Sequence, residues 1–411
     1  MCPMHKFDEL KQRAGRAANK PAAIGPDIDL NEFDDAPVQH SYLADADMCS
    51  LPREEQQRLL MAGLDVTEKG RGGTYFQKDT SVIHCDTRQE GIEVLPVRKA
   101  LEAHDWVADY YWQLASVDAD KYTAAAELGL HDGYVIRALP GSRSVYPIQA
   151  CLYLDRDGLQ QNVHNLIIAE EDSELHIITG CVTSAHMKRG IHVGISEFFV
   201  KKNAKLSFTM IHNWAEDMHV RPRSVARVEE GGLFLNNYIC MKPVRSIQMY
   251  PTTHLVGKGA VARFYSIIVG SPGSEYDIGG RIFLKEKANR AEIVARTISN
   301  GGNIIVRGHL IGEVPDIKAH LECRGLLLKG GRIHAVPELE GHAEGVEMSH
   351  EAAVGKIAQE EIAYLMSRGL SEDEATATIV RGFLKVDIPG LPPQLQAEID
   401  RAVEESDKDV M

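Results

Sequence analysis

The pattern of apolar and polar positions divides the chain into three stretches. Residues 1–45 are polar. A weak helical pattern there is carried by Phe7 and Leu10 ahead of Arg13 and Arg16, and an acidic loop follows from Asp27 to Asp35. Residues 52–64 predict a short helix with Leu59, Leu60 and Gly63 on one side, and Thr74 to Cys85 reads as a strand. Between 95 and 128, Val97, Leu101, Ala108, Tyr111, Trp112 and Leu114 recur at helical spacing, and Ala124 to Leu128 adds helix formers. The first third is therefore expected to be mainly helical.

Near residue 133 the period changes. From Tyr134 to about His350 the chain is a series of short β-type runs between polar or glycine-containing turns. Leu166–Ala169 and Leu175–Thr179 flank Glu170-Glu171-Asp172, and Glu197–Val200 and Lys205–Ile211 flank Lys202-Asn203-Ala204. Where they are densest, turn signals such as Gly231-Gly232, Gly257-Lys258-Gly259 and Lys329-Gly330-Gly331 fall roughly every 12–16 residues, the spacing of a repetitive all-β architecture. A β-sandwich and a β-helix both satisfy it. Spacing alone does not separate them, because the runs are too dissimilar to show a repeat.

The helical period then returns. Ala358, Ile362, Leu365 and Met366 line one face and Gly369 ends the helix. Ser371 with Glu374 forms a capping box for a second helix with Ala375, Ile379, Gly382 and Phe383 on its apolar face. Beyond Pro389, Pro392 and Pro393, a third amphipathic helix is expected on Leu395, Ile399, Ala402 and Val403. The expected division is a helical region over 1–132, a β core over 133–350 and a helical region over 351–411.

Composition narrows the function. With 411 residues, 44% apolar and 25% charged, the chain can bury a sizeable core. A net charge of −14 argues against a nucleic-acid or anionic-membrane partner. No apolar run is long enough to span a bilayer, and the start Met1-Cys2-Pro3-Met4-His5-Lys6 has no apolar signal core, so a cytoplasmic location is expected. The seven cysteines, Cys2, Cys49, Cys85, Cys151, Cys181, Cys240 and Cys323, are scattered, with no Cys-x-x-Cys pair. That is neither a disulfide framework nor a zinc ribbon. Any metal site must be assembled from distant residues or across two chains.

The candidate chemistry lies late in the chain. Leu321-Glu322-Cys323-Arg324-Gly325 is followed by Met348-Ser349-His350-Glu351-Ala352. A soft thiolate beside N and O donors is a ligand set that iron can use. Taken singly, Cys323 reads as a buried core residue, His350 as a structural hydrogen-bonding group, and Glu351 as a carboxylate placed at a helix N-terminus by the macrodipole. Arg324 and Lys329 are expected to lower the Cys323 pKa. Gly257-Lys258-Gly259-Ala260 is a turn, not a P-loop, and neither a nucleophile elbow nor His-Glu-x-x-His occurs. No nucleotide is expected on this chain, so any ATP must be used by a partner.

These residues resemble the SufB/SufD family, the scaffolds of the SUF iron–sulfur cluster assembly machinery. The resemblance is strongest over Pro337-Glu338-Leu339-Glu340, Ser349-His350-Glu351-Ala352-Ala353-Val354-Gly355-Lys356-Ile357, Tyr364-Leu365-Met366-Ser367-Arg368-Gly369-Leu370-Ser371-Glu372 and Ile379-Val380-Arg381-Gly382-Phe383. Weaker matches are Pro147-Ile148-Gln149, Gly180-Cys181 and Asn213-Trp214. The resemblance implies a right-handed parallel β-helix core flanked by N- and C-terminal helical regions, with the C-terminal one docking an ABC-type ATPase, SufC. It implies an assembly scaffold rather than an enzyme, carrying a transient iron–sulfur cluster. Cys323, His350 and Glu351 would be the cluster-binding and metal-binding residues, and Cys181 the sulfur acceptor for an internal transfer route passing His212 and Trp214. His212 departs from the glutamine usual in SufB. SufD members keep the histidine but typically lack the cysteine and glutamate, so the site here is SufB-like, while Pro337-Glu338-Leu339-Glu340 is closer to SufD wording. That mixture resembles the simpler archaeal-type systems. The implied partners are the ATPase, a second SufB/SufD-type scaffold or a second copy of this chain, a sulfur donor and apo-protein acceptors. The rival readings are a SufD-like subunit that binds the ATPase without building a cluster, and a β-helix carbohydrate-active enzyme. The latter requires paired carboxylates on one face, and no such pair stands out.

Overall fold

The structure, a computed structural model, describes residues 3–43 and 45–385. The predicted third helix, 395–403, lies outside them. The N-terminal part contains helices α1 (Pro3–Ala17) and α2 (Arg53–Met61), strands β1 (Gly73–Lys78), β2 (Ser81–Thr87) and β3 (Ile92–Pro96), helices α3 (Val97–Ala103) and α4 (Lys121–Leu128), and strand β4 (Tyr134–Ala138). This stretch is less helical than its pattern suggested. The expected strand over 74–85 is a hairpin, turned at Asp79 in the left-handed region (φ 50°). The expected helix over 95–128 is broken into α3, a 3-10 turn over Asp105–Asp109 and α4. Trp112 sits at φ 53°, which no right-handed helix admits, and Asp120 caps α4 afresh by accepting from the Tyr122 and Thr123 amides.

Next come β5 (Ile148–Leu154), β6 (Gln160–Ala169), β7 (Glu174–Thr183), β8 (Arg189–Val200), β9 (Lys205–Asn213), β10 (Asp217–Val220), β11 (Arg223–Val228), β12 (Leu233–Cys240), β13 (Ser246–Met249), β14 (Thr252–Leu255), β15 (Val261–Gly270), β16 (Glu275–Leu284), β17 (Arg290–Asn300), β18 (Asn303–Gly312), β19 (Ile317–Lys329), β20 (Arg332–Gly341) and β21 (Val346–Gly355). They alternate between two sheets. Sheet one runs β2-β1-β5-β7-β9-β12-β15-β17-β19-β21, parallel from β1 onward. Sheet two carries the strands between them. Two of its rungs are split, β10/β11 at Pro222 and β13/β14 at Pro251, where a residue without an N–H cannot continue the ladder. In sheet one, Lys205, Leu233, Val261, Arg290 and Lys318 stack in register, each 28 or 29 residues after the last. This is a β-helix of about 8 turns, not a sandwich. The turn spacing read from the sequence is half of one coil.

The coil repeats in its corners. Asp172, Asn203, Gly231, Gly259, Ala288, Asp316 and Gly345 all have positive φ, and each stands where the chain leaves sheet two for sheet one. They stack: the Asp172 N–H donates to the Lys202 carbonyl, that of Asn203 to Glu230, Gly231 to Lys258, Gly259 to Lys287 and Ala288 to Asp316.

Burial follows strand alternation. The interior between the sheets is filled by residues such as Ile177, Phe198, Phe208, Phe234, Phe264, Ile293 and Leu321. Outside, α1 and α4 cover sheet two through Leu10, Ala14, Tyr122 and Ala126 against Leu166, Val193 and Ile195. On sheet one, Leu59, Ala62 and Leu64 of α2 and its following turn pack on Cys151 and Val182. Gly180 has no side chain because a Cβ there would strike Leu64. After β21, α5 (Gln359–Ser367) ends at Gly369 (φ 99°), and α6 (Glu372–Leu384) is capped by Ser371, whose amide donates to Glu374 Oε2 at 2.8 Å. The predicted capping box is present. Val380 and Leu384 of α6 cover Ile211, Ile267 and Ile298 on sheet one. Among the described residues no helix is long and apolar enough to cross a membrane.

Candidate functional site

Two places in the coil carry chemistry, and the strand period decides which residues meet at each. In β19, Ile317, Ala319, Leu321 and Cys323 point into the coil while Lys318, His320, Glu322 and Arg324 point out. β21 pairs with β19 in parallel, with Leu321 opposite His350, Glu322 opposite Glu351 and Cys323 opposite Ala352. Partners in a ladder share a face. His350 thus lies on the inner face with Cys323, one rung on and offset by two residues. Because β21 is the last rung of sheet one, this inner face is open, and His350 is exposed although Cys323 is buried.

Glu351 lies on the other face. It ends an ion-pair ladder: Arg296 Nη1 to Glu322 Oε1 at 2.7 Å, Arg324 Nε to the same oxygen at 2.7 Å, and Arg324 Nη2 to Glu351 Oε2 at 3.8 Å. Beside it His320 Nδ1 meets Ser349 Oγ at 2.9 Å. One chain therefore places Cys323 and His350 on the same face of neighbouring strands and turns Glu351 to the other. Among the described residues no three His, Cys, Asp or Glu side chains stand close enough to share a metal ion. The expected strand-to-helix transition at His350-Glu351 is not there: pairing with β19 carries β21 on to Gly355, and α5 starts only at Gln359. Helix N-terminal charge is thus no explanation for Glu351. The expected lowering of the Cys323 pKa is also not found. Burial pushes the thiol up to about 11, Glu322 adds to the rise, and Arg296 opposes it.

The second place lies inside the coil. Cys181 of β7 is opposite His212 of β9, and His212 is opposite Cys240 of β12, so thiol, imidazole and thiol stack on successive rungs. All three are buried. His212 Nδ1 bonds the Tyr238 hydroxyl at 2.9 Å, while its Nε2 has no partner. Trp214 packs its ring on those of His212 and His192, with centroids 5.5 and 5.2 Å apart, and its indole N–H is unpaired. Burial pushes the Cys181 thiol well up and the Cys240 thiol up to about 12, and it holds both histidines neutral. From Tyr238 a column of opposed residues, Ser266, Ala295 and Cys323, leads along sheet one to the open end. Tyr238, Ser266 and Ala295 also line an internal cavity walled by Phe198, Phe208 and Phe264. With rungs about 4.8 Å apart, Tyr238 and Cys323 are about 14 Å apart along the coil.

Sequence reasoning singled out Cys181, His212 and Trp214 but not His192, Tyr238 or Cys240. The signal that finds them is the coil register, since Cys240 follows His212 by one turn. The six described cysteines are free thiols.

A two-sheet β-helix with helical ends, a buried thiol–imidazole stack and a cysteine–histidine pair at its open end defines the class. The model of the family "SUF system FeS cluster assembly, SufBD core domain" matches residues 152–383. An iron–sulfur cluster assembly SufBD family protein of Methanothermobacter thermautotrophicus (strain Winter) is 48% identical over 406 residues, covering 97% of this chain and 98% of the relative. One from Archaeoglobus fulgidus is 51% identical over 358 residues (87% and 96%), and one from Staphylococcus aureus (strain MRSA252) is 28% identical over 397 residues (92% and 84%). The chain belongs to the SufBD family of iron–sulfur cluster assembly proteins.

Proposed function

We propose that this chain is a cytoplasmic scaffold on which an iron–sulfur cluster is built, and that the cluster forms where the open end of the coil meets a second scaffold. The observation that carries this reading is the placement of Cys323 and His350 on one inner face at that end. Cys323 supplies thiolate when the incoming metal displaces its proton to solvent, and His350 supplies an imidazole nitrogen. Glu351, facing the other way with its side chain 66% exposed, is an oxygen donor to a cluster shared with the second subunit. Among the described residues β21 pairs only with β19 and forms the edge of sheet one, an edge which a second copy can cover. Two-fold symmetry would double a sparse ligand set, and mixed ligation suits a carrier that must hand its cargo to an apo-protein.

Sulfur would enter at Cys181, delivered by a donor, and move inside the coil past His212 and Tyr238 toward Cys323. ATP would be used by a docked SufC-like ABC ATPase rather than by this chain. Helices α5 and α6 are the dock: α6 anchors to sheet one, while Tyr364 and Met366 of α5 stand 58% and 44% exposed. Closure of two ATPase subunits would draw the paired helices together and strain the scaffold interface. The test is anaerobic reconstitution with iron and sulfide, read by absorption and Mössbauer spectroscopy, on wild type and Cys323→Ala. A cluster in the wild type and none in the variant supports the reading. Equal clusters in both would remove Cys323 from the site. The tie of Glu351 to Arg324 favours one alternative, a SufD-like stabilising subunit; failure of the wild type to hold any cluster, even with the ATPase, would select it.

A further inference from the structure

The outer face of the last three rungs of sheet one carries four charges, and none is paired in register with its opposite. Arg296 of β17 stands opposite Arg324 of β19, and Glu322 of β19 opposite Glu351 of β21. Like charges directly opposite in a ladder destabilise it. The compensation runs along the diagonals. Arg296 Nη1 and Arg324 Nε each stand 2.7 Å from Glu322 Oε1, and Arg324 Nη2 reaches Glu351 Oε2 at 3.8 Å. Arg324 is thus the member that meets both carboxylates. Its register partner on β21 is Ala353, whose methyl leaves the guanidinium room to lie across the strand.

The four charges are not equivalent. Glu322 has two cations against it and a side chain only 15% exposed. Among the described residues, Arg324 is the one cation within ion-pair reach of Glu351. Without Arg324, the Glu322 and Glu351 carboxylates would face each other across the ladder with Arg296 on one of them alone. Among the described residues β21 has β19 as its one partner strand, so no further rung fixes its register. A slip of β21 by one residue would turn His350 outward and Glu351 inward. The charge that offsets the opposed carboxylates therefore decides where the imidazole lies, although Arg324 is on the opposite face from Cys323 and His350.

We propose that Arg324 is a positioning residue for the open end of the coil: it offsets Glu322 and Glu351 and so keeps β21 in the register that sets His350 on the inner face with Cys323. The use of that register in building a cluster rests on the scaffold reading; the hold on β21 does not.

Labelling of the apo protein with N-ethylmaleimide, followed peptide by peptide by mass spectrometry, reads that hold, because Cys323 is buried and reacts when the last rung opens. Arg324→Gln is expected to raise the Cys323 labelling rate about threefold, with labelling of Cys181, buried farther down the coil, unchanged. The field of the lost cation acts the other way, since a nearby positive charge favours the reactive thiolate. Arg324→Lys is expected to stay nearer wild type. Arg324→Gln combined with Glu351→Gln is expected to return to the wild-type rate, because the repulsion leaves with the carboxylate; a side chain that only packs would leave the double variant as reactive as Arg324→Gln. No rise in Arg324→Gln, an equal rise at Cys181, or no rescue in the double variant would each overturn the role. On anaerobic reconstitution, Arg324→Gln is expected to retain about a third of the wild-type iron, and Arg324→Lys most of it. Unchanged iron beside faster labelling would overturn the link to the site. A wild type that holds no iron would sink the scaffold reading, and the labelling arm would still decide the hold on β21.

Discussion

His350 stands opposite Leu321, so it shares the inner face with Cys323 one rung away, while its neighbour Glu351 is turned out toward Arg324. A one-residue step in a strand reverses the face, and so these three residues are not equivalent. Cys323→Ala and His350→Ala are expected to lower iron retained on anaerobic reconstitution by about tenfold or more, as loss of a direct ligand should exceed the cost of losing an outer group. Glu351→Gln is expected to cost less than either. Iron analysis per protomer after desalting checks the order; a Glu351→Gln loss equal to that of Cys323→Ala would put the carboxylate in the ligand set on equal terms.

The open end makes a prediction about assembly. β21 ends sheet one, and Val354 on it is 43% exposed. A lysine on an edge strand blunts edge-to-edge pairing. On the proposed pairing of two copies through this edge, Val354→Lys is expected to shift the protein from dimer to monomer by light scattering, with the melting temperature of the monomeric fold little changed. A wild type that is already monomeric, alone and with the proposed ATPase, would move the proposed cluster site away from this edge.

The corner column makes a prediction about stability. Ala288 is exposed and holds φ 61° at the same corner where Gly231, Gly259 and Gly345 sit. A left-handed Cβ costs about 1 kcal/mol. Ala288→Gly is thus expected to stabilise by up to about 1 kcal/mol, less the entropy of the freer unfolded chain. Gly259→Ala, where a Cβ meets nothing within 4 Å, is expected to destabilise by about the same amount through φ alone. Denaturant melts of the two variants check the pair, and equal signs would refute the account.

That column also explains what the sequence concealed. The coil repeat is carried by one backbone conformation per turn, and Asp, Asn, Gly and Ala all satisfy it, so no single residue type marks every turn. The period-2 runs and turn signals were legible, as was the Ser371–Glu374 box, because each is a local property. The face on which a side chain lies was not, since it depends on register with a strand 28 or 29 residues away. Hence Cys323 and His350 were legible as candidates, but the outward turn of Glu351 and the stacking of Cys240 beneath His212 were not. The N-terminal region misled for a related reason: Tyr111 and Trp112 recur at helical spacing, yet both turn toward the buried Glu127, whose Oε2 accepts from the Tyr111 hydroxyl at 2.7 Å and the Trp112 indole at 2.8 Å.

The buried histidines set an acid limit. Burial lowers the His192 pKa to about 3 and takes that of His212 well below its ordinary value. His192 faces Gln161 Oε1 at 2.9 Å and the Trp214 ring; His212 faces the Tyr238 hydroxyl and the neutral thiols Cys181 and Cys240, and no carboxylate bonds either imidazole. In the unfolded chain both take up protons below about 6.5, while folded they stay neutral. The unfolded state therefore binds more protons below that point, and stability falls as pH drops from about 6.5 toward 3. Asp132 acts in the opposite sense, because burial raises its pKa to about 6, so it favours the fold as pH falls through its own range. Two deeply buried imidazoles outweigh one carboxyl, and the melting temperature is expected to decline between pH 7 and pH 5, before carboxylates of ordinary pKa titrate. His192→Gln, which can keep a hydrogen bond to Gln161, is expected to flatten that decline without removing it, since His212 remains. Calorimetric melts of both proteins over this window check the sign, and parallel curves would mean that His192 is not held neutral by the fold.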